Sequence, residues 1–372
     1  MSEFIPVNKP SLEGNEARYL KECIDSGWIS SEGPFVGRLE REFAAAADRK
    51  WGIAVCNGSA ALDAAVAALH LSPGDEVILP AFTIISCAAA IVRAGAVPVL
   101  VDSDPVTWNM RVDQIEQKLT PRSKAIMAVH IYGLPVDIQS VQSIAQRRGL
   151  AVIEDAAEAL GAKCRNQSCG SFGDISTFSF YSNKLVTTGE GGMILCDDDE
   201  LAARCRSLRN LCFQPGRRFV HEELGWNMRM SNLQAAVGVA QLERLGKSVE
   251  RKQRIGSLYM ELLEDVKGIR LPLPHTTDAD NTYWVFGVML ENSIPFDAQT
   301  AMERLARCGI GTRPFFWPMH EQPVLKRMGF FAGETYPVAE NLARRGFYLP
   351  SGLGISDEQV RRSAAALRDV LS

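Results

Sequence analysis

The sequence contains no C-x-x-C pair, no G-x-G-x-x-G, no histidines at metal-ligand spacing and no apolar run that could span a bilayer. Each absence removes a class of protein. Nine cysteines at 23, 56, 87, 164, 169, 196, 205, 212 and 308 are scattered and odd in number. They read as reduced thiols of a cytoplasmic protein, with neither a disulfide framework nor a zinc site. The five histidines, His70, His130, His221, His275 and His320, suggest no metal centre. The longest apolar run, near 84–92, stops at Arg93, and Met1 to Pro6 lack the basic and apolar regions of a signal peptide. Forty basic against 44 acidic residues give a net charge of -4, so no overall field draws the chain to nucleic acid or to anionic lipid. A basic group at Arg204, Arg206, Arg209, Arg217 and Arg218 is offset by Glu222 and Glu223 and reads as a solvated loop.

What is present is a chain of 372 residues, 46% of them hydrophobic, enough for two domains with a sizeable core. Apolar residues three and four apart predict helices over 11–25 and 36–48. Apolar runs at 52–56, 76–79, 98–101, 125–130 and 151–154 then alternate with helical stretches at 60–70, 86–94, 111–118 and 137–148. That alternation predicts an α/β fold with a mainly parallel sheet, whose ligands bind beyond the carboxyl ends of its strands. A broken long helix over 231–264 leads to a smaller α+β domain with strands at 282–290 and 310–316 and helices at 297–308 and 357–371. The expected division is 1–245 and 246–372.

Three stretches carry chemistry. At Asn57-Gly58-Ser59 a strand passes through glycine into a helix, where free N–H groups suit a phosphate, although a serine there can equally be an N-cap. At Glu154-Asp155-Ala156-Ala157-Glu158 a strand ends in carboxylates. If the chain stays extended, Asp155 and Ala157 share a side, which would place a carboxylate beside a flat surface; a helix cap or ion pair is the alternative. From Ser179 to Lys184 one lysine sits among aromatic and small residues, and Glu190 is its nearest acidic residue in sequence. Burial would favour its neutral amine, which can form a Schiff base, whereas the plain reading is a surface lysine in a turn. A phosphate site, a carboxylate for a ring nitrogen and a Schiff-base lysine are together what pyridoxal phosphate requires.

With Trp28-Ile29-Ser30, His130-Ile131-Tyr132-Gly133, Thr188 to Gly192, Asn227 to Met230 and Arg313 to His320, these stretches resemble the nucleotide-sugar aminotransferases of the DegT/DnrJ/StrS type over nearly the whole chain. The resemblance implies fold type I of the pyridoxal-phosphate enzymes, with a seven-stranded sheet. It implies that Lys184 forms the Schiff base, that Asp155 pairs with the ring nitrogen, and that Gly58, Ser59 and Ser179 hold the phosphate. Ala157 would lie on one ring face, and Glu158 near the phenolic oxygen or the sugar. Asn227 would reach the phosphate from the other subunit of a homodimer, and Trp28, Ser30, Arg229 and His320 would contact substrate. The implied reaction moves the amine of glutamate to a keto-sugar nucleotide, by way of pyridoxamine phosphate. One departure is Ile84, where the family usually places an aromatic residue over the second ring face; Phe82 is the candidate to replace it. Related sugar 3-dehydratases carry histidine at the lysine position, so Lys184 argues against that activity. The complete site set argues against a non-catalytic regulator, and the missing glycine fingerprint against a nicotinamide enzyme.

Overall fold

Short runs of Val, Ile, Leu and Ala stack into the central sheet of the computed structural model, which describes residues 3–214, 216–217 and 219–371. Arg218 of the basic group lies outside the described residues. In chain order the strands are β1 (Trp51–Val55), β2 (Glu76–Pro80), β3 (Val97–Val101), β4 (Ser123–Val129) and β5 (Ala151–Asp155). A small hairpin follows, β6 (Lys163–Cys164) and β7 (Gln167–Ser168), then β8 (Ile175–Ser179) and β9 (Gly192–Cys196). Seven of these form one sheet in the order β1-β9-β8-β5-β4-β2-β3. Pairing is parallel from β8 through β3, and only β9 runs against both of its neighbours. The carboxyl ends of β2, β4, β5 and β8 therefore open on the same edge.

Helices cover both faces, as fully buried parallel strands require. Gly58–Ala68, Ile85–Arg93 and Asp199–Arg209 pack with one apolar cluster, and Pro34–Ala46 and Asn232–Leu242 with another across the sheet. The long helix breaks at Glu243 and Arg244 and resumes as Leu245–Leu263. Its far end packs on a four-stranded antiparallel sheet of β10 (Ile269–Arg270), β11 (Phe286–Leu290), β12 (Arg313–Pro314) and β13 (Gly346–Leu349), in the order β10-β11-β13-β12.

Several elements differ from the sequence expectation for identifiable reasons. The second helix starts at Pro34 because proline suits a first turn that needs no N–H donor. Residues 282–285 do not join β11: Thr282 donates its N–H to Gly133 O at 2.9 Å, and Tyr283 sits at φ 52. Near 310 the chain pairs instead with the N-terminal segment, Gly311 N to Ile5 O at 2.8 Å, leaving two residues for β12. The stretch 111–118 is a 3-10 turn at Val112–Gln114 followed by one helical turn at Ile115–Lys118. Periodicity did not reveal β8, β9, the helices Asp199–Arg209 and Pro337–Arg345, or β13. Among the described residues no helix is long and apolar enough to cross a membrane.

Candidate active site

Beyond the carboxyl ends of β2, β4, β5 and β8 lies a cavity of about 530 Å³. Its walls bring together eight of the residues singled out from the sequence: Gly58, Ser59, Ile84, Asp155, Ala157, Glu158, Ser179 and Lys184.

One end is built for an anion. Asn57 is the N-cap of the helix Gly58–Ala68, its Oδ1 accepting the Ala60 N–H at 2.8 Å. Ser59 therefore does not cap, and its hydroxyl lies 2.7 Å from that of Ser86, in the first turn of the helix Ile85–Arg93. Two helix N-termini and their hydroxyls converge here. Gly58 is required by close approach: a Cβ there would lie 2.7 Å from the Ser179 Cβ.

The floor is acidic. Asp155 closes β5 at 3% exposure, in register with Thr177 of β8. One carboxylate oxygen accepts the Ala157 N–H at 3.1 Å and the other the Cys87 thiol at 3.3 Å. Burial pushes the Asp155 pKa up, against the lowering effect of these donors and of the Lys184 charge. A carboxylate held in so little solvent gains strongly from a cationic N–H donor. The hydroxyl of Thr177 is buried on the same wall without a partner among the described residues.

Lys184 follows β8 in a turn, with its side chain only 11% exposed. The surface reading is thereby excluded, and so is the absence of an acidic neighbour. Glu158 Oε1 lies 3.8 Å from its Nζ, a proximity that sequence distance concealed. Burial lowers the Lys184 pKa, while Glu158 and then Asp155 oppose the shift. Burial also raises Glu158 to about 7, with Lys184 and the Tyr132 N–H, 2.8 Å away, acting the other way.

Two features of the roof were not among the predicted site residues. The Trp284 indole stacks on the lysine, its centroid 3.7 Å from Nζ, and its Nε1 donates to Asn183 O at 2.9 Å. Arg313 and Tyr348, paired in register between β12 and β13, also face the cavity. Ile84 stands on the wall at 42% exposure. Phe82 cannot replace it as a ring cover: it is fully buried against Tyr132, Phe315 and Phe316, with ring centroids 5.9 Å away in each case.

The remaining candidates lie elsewhere in this single chain. Asn227 accepts the Arg229 Nε–H at 3.0 Å, and Arg229 reaches Asn210 Oδ1 at 2.7 Å beside a second, smaller cavity. Trp28 is half exposed and, like Ser30, uses its carbonyl to hold Asn232. His320 is 3% exposed and bound through Nε2 to Glu340 at 2.9 Å.

The fold is that of the type I pyridoxal-phosphate-dependent aminotransferases. The aminotransferase TlmJ of Streptoalloteichus hindustanus superposes with a TM-score of 0.91 at 30% identity, over 99% of this chain and 98% of that one. The chain belongs to the DegT/DnrJ/EryC1/StrS aminotransferase family, which it matches over residues 10–368. A GDP-perosamine synthase of Escherichia coli O157:H7 is 41% identical over 358 residues, covering 96% of each protein. Another, from Caulobacter vibrioides, is 42% identical over 368 residues, 99% of this chain and 98% of the relative.

Proposed function

We propose that this chain transfers the amine of glutamate to C-4 of GDP-4-keto-6-deoxymannose, giving GDP-perosamine, with pyridoxal phosphate as its cofactor. The observation that carries the reading is the convergence of Lys184 and Asp155 on one cavity that ends in the Gly58–Ser59 anion cradle. The likeness to GDP-perosamine synthases supports the choice of sugar. The residues present fit the cofactor. Gly58 leaves a space that a Cβ would close, Thr177 offers an unused hydroxyl, and Asp155 lacks only a cationic donor.

When bound, pyridoxal phosphate supplies a carbonyl for the amine and a ring that accepts carbanion charge. Asp155 would keep the ring nitrogen protonated, which would favour the transition state over the ground state. Gly58, Ser59 and Ser179 would hold the phosphate, Ala157 and Ile84 would line the ring, and Glu158 would serve its phenolic oxygen or the sugar. Lys184 Nζ would anchor the cofactor's carbonyl and, as a free amine, would move a proton to and from the substrate carbon. A second copy of the chain completes the site through Asn227, and Trp28, Ser30, Arg229 and His320 are assigned to substrate. The division of labour follows a large domain of 1–245 and a small one of 246–372, and the setting is the cytoplasm.

The test is a screen of keto-sugar nucleotides with glutamate, the product read by mass and NMR. GDP-perosamine is the expected product. Preferential amination of a UDP- or dTDP-linked sugar would refute the substrate and leave the family intact.

A further inference from the structure

Lys252, on the helix Leu245–Leu263, is a buried amine to which the proposed reaction assigns no role. It is 2% exposed, and among the described residues its Nζ meets no carboxylate. Burying a lysine without a counter-ion is costly. What this one has is two backbone carbonyls: Nζ donates to Trp284 O at 2.8 Å and to Ser351 O at 2.5 Å. Trp284 lies two residues before β11 and Ser351 two residues after β13, its antiparallel neighbour. The same junction is closed by the Phe286 N–H, which donates to Ser351 Oγ at 3.2 Å. Lys252 thus ties the entry of one strand to the exit of the next.

That junction carries the indole lying on Lys184. Trp284 is held at its backbone carbonyl by Lys252 and at its indole Nε1 by the carbonyl of Asn183, the residue before Lys184. Lys184, Lys252 and Trp284 together border a small void of about 10 Å³. We propose that Lys252 is a positioning residue for Lys184: by holding the Trp284 and Ser351 carbonyls it seats the indole over the Lys184 amine. The seat shields that amine and adds a cation–π contact. The proposal rests on Lys184 being the covalent residue and is independent of which sugar is aminated. Charged and titratable groups facing Lys184 are Glu158, Asp155 and the Cys87 thiol, with Lys252 behind Trp284. Burial, with the Lys184 charge second, pulls the Lys252 pKa down to about 7. A neutral amine has two N–H groups, matching the two carbonyls it serves.

The experiment is competitive labelling of amines in the cofactor-free protein with acetic anhydride across pH, the rate at Lys184 read by peptide mass spectrometry. Lys252→Met, which removes both donors, is expected to raise Lys184 labelling about five-fold, the equivalent of a ~1 kcal/mol cation–π contact. Trp284→Leu should do the same, and the double variant no more than the larger single effect, because both act through one contact. Should Lys252→Met not fold, Lys252→Gln, whose neutral amide is one atom shorter and set back from the two carbonyls, carries the same comparison. Unchanged labelling in the folded Lys252 variant, or effects that multiply in the double variant, overturns the proposal. Borohydride trapping of pyridoxal phosphate on the wild-type protein separately tests the reading beneath it.

Discussion

Two buried lysines meet Trp284 from different sides, Lys184 at the indole face and Lys252 at the carbonyl. Both have pKa values lowered by burial, so the ease of losing a proton does not say which one performs chemistry. Surroundings decide it. Lys184 opens onto the large cavity, with Glu158 3.8 Å away and Asp155 on the same wall. Lys252 is absent from that cavity, and its donors are committed to backbone oxygens. A depressed lysine pKa is therefore a necessary signal for a covalent role and not a sufficient one.

The contrast is broken most severely by removing what makes the Lys184 side reactive. Asp155→Asn keeps the shape and removes the charge, and kcat/KM for amine transfer should fall about 100-fold or more, as for the loss of a preorganised transition-state contact. Retention of near wild-type kcat/KM would show that the floor carboxylate is structural. Gly58→Ala drives a Cβ into Ser179. Overpacking there is expected to weaken cofactor retention by about 1–3 kcal/mol, measured by fluorescence titration of the cofactor-free protein.

The two regions also separate in pH. Lys252 moves from 10.5 to about 7 on folding, so the unfolded chain binds a proton that the folded chain lacks, and stability rises with pH through that window. This contribution is lost as the pH falls through 7. Glu158 moves from 4.5 up to about 7. Its contribution is present below 4.5 and is lost as the pH rises through 7. Thermal melts of the cofactor-free protein should show the upper slope flattened by Lys252→Met and the lower slope flattened by Glu158→Gln. The smallest effect is at the wall: Ile84→Phe should tighten cofactor binding by about 0.5–1.5 kcal/mol through ring stacking, and weaker binding would show that the position has no room for an aromatic side chain.

The same contrast explains what could be read in the sequence. Gly58, Ser59 and Asp155 sit where an apolar run stops and a turn or helix begins, and that punctuation is local, whereas the roles of Ala157 and Ser179 came from the family resemblance. Parallel β2 to β5 were visible as apolar runs for the same reason. Trp284, Tyr348 and Lys252 reach the site through tertiary packing, from elements separated along the chain, and no local pattern marks them, while Arg313 stood in a stretch that carries the resemblance without being assigned to the site. The pairing of Lys184 with Glu158 was hidden because the chain places Glu190 closer in sequence. Asn57 displaced Ser59 as the helix cap because the helix begins at Gly58. The antiparallel β9 was missed because it begins at Gly192, inside the glycine-rich stretch Gly189 to Gly192 that reads as loop.

The most direct test is to incubate the wild-type protein with pyridoxal phosphate, reduce with borohydride and map the modified lysine by peptide mass spectrometry. Modification confined to Lys184, and abolished in Lys184→Ala, is the predicted result. A pyridoxyl group on Lys252, or a borohydride-trapped lysine adduct persisting in Lys184→Ala, would contradict it.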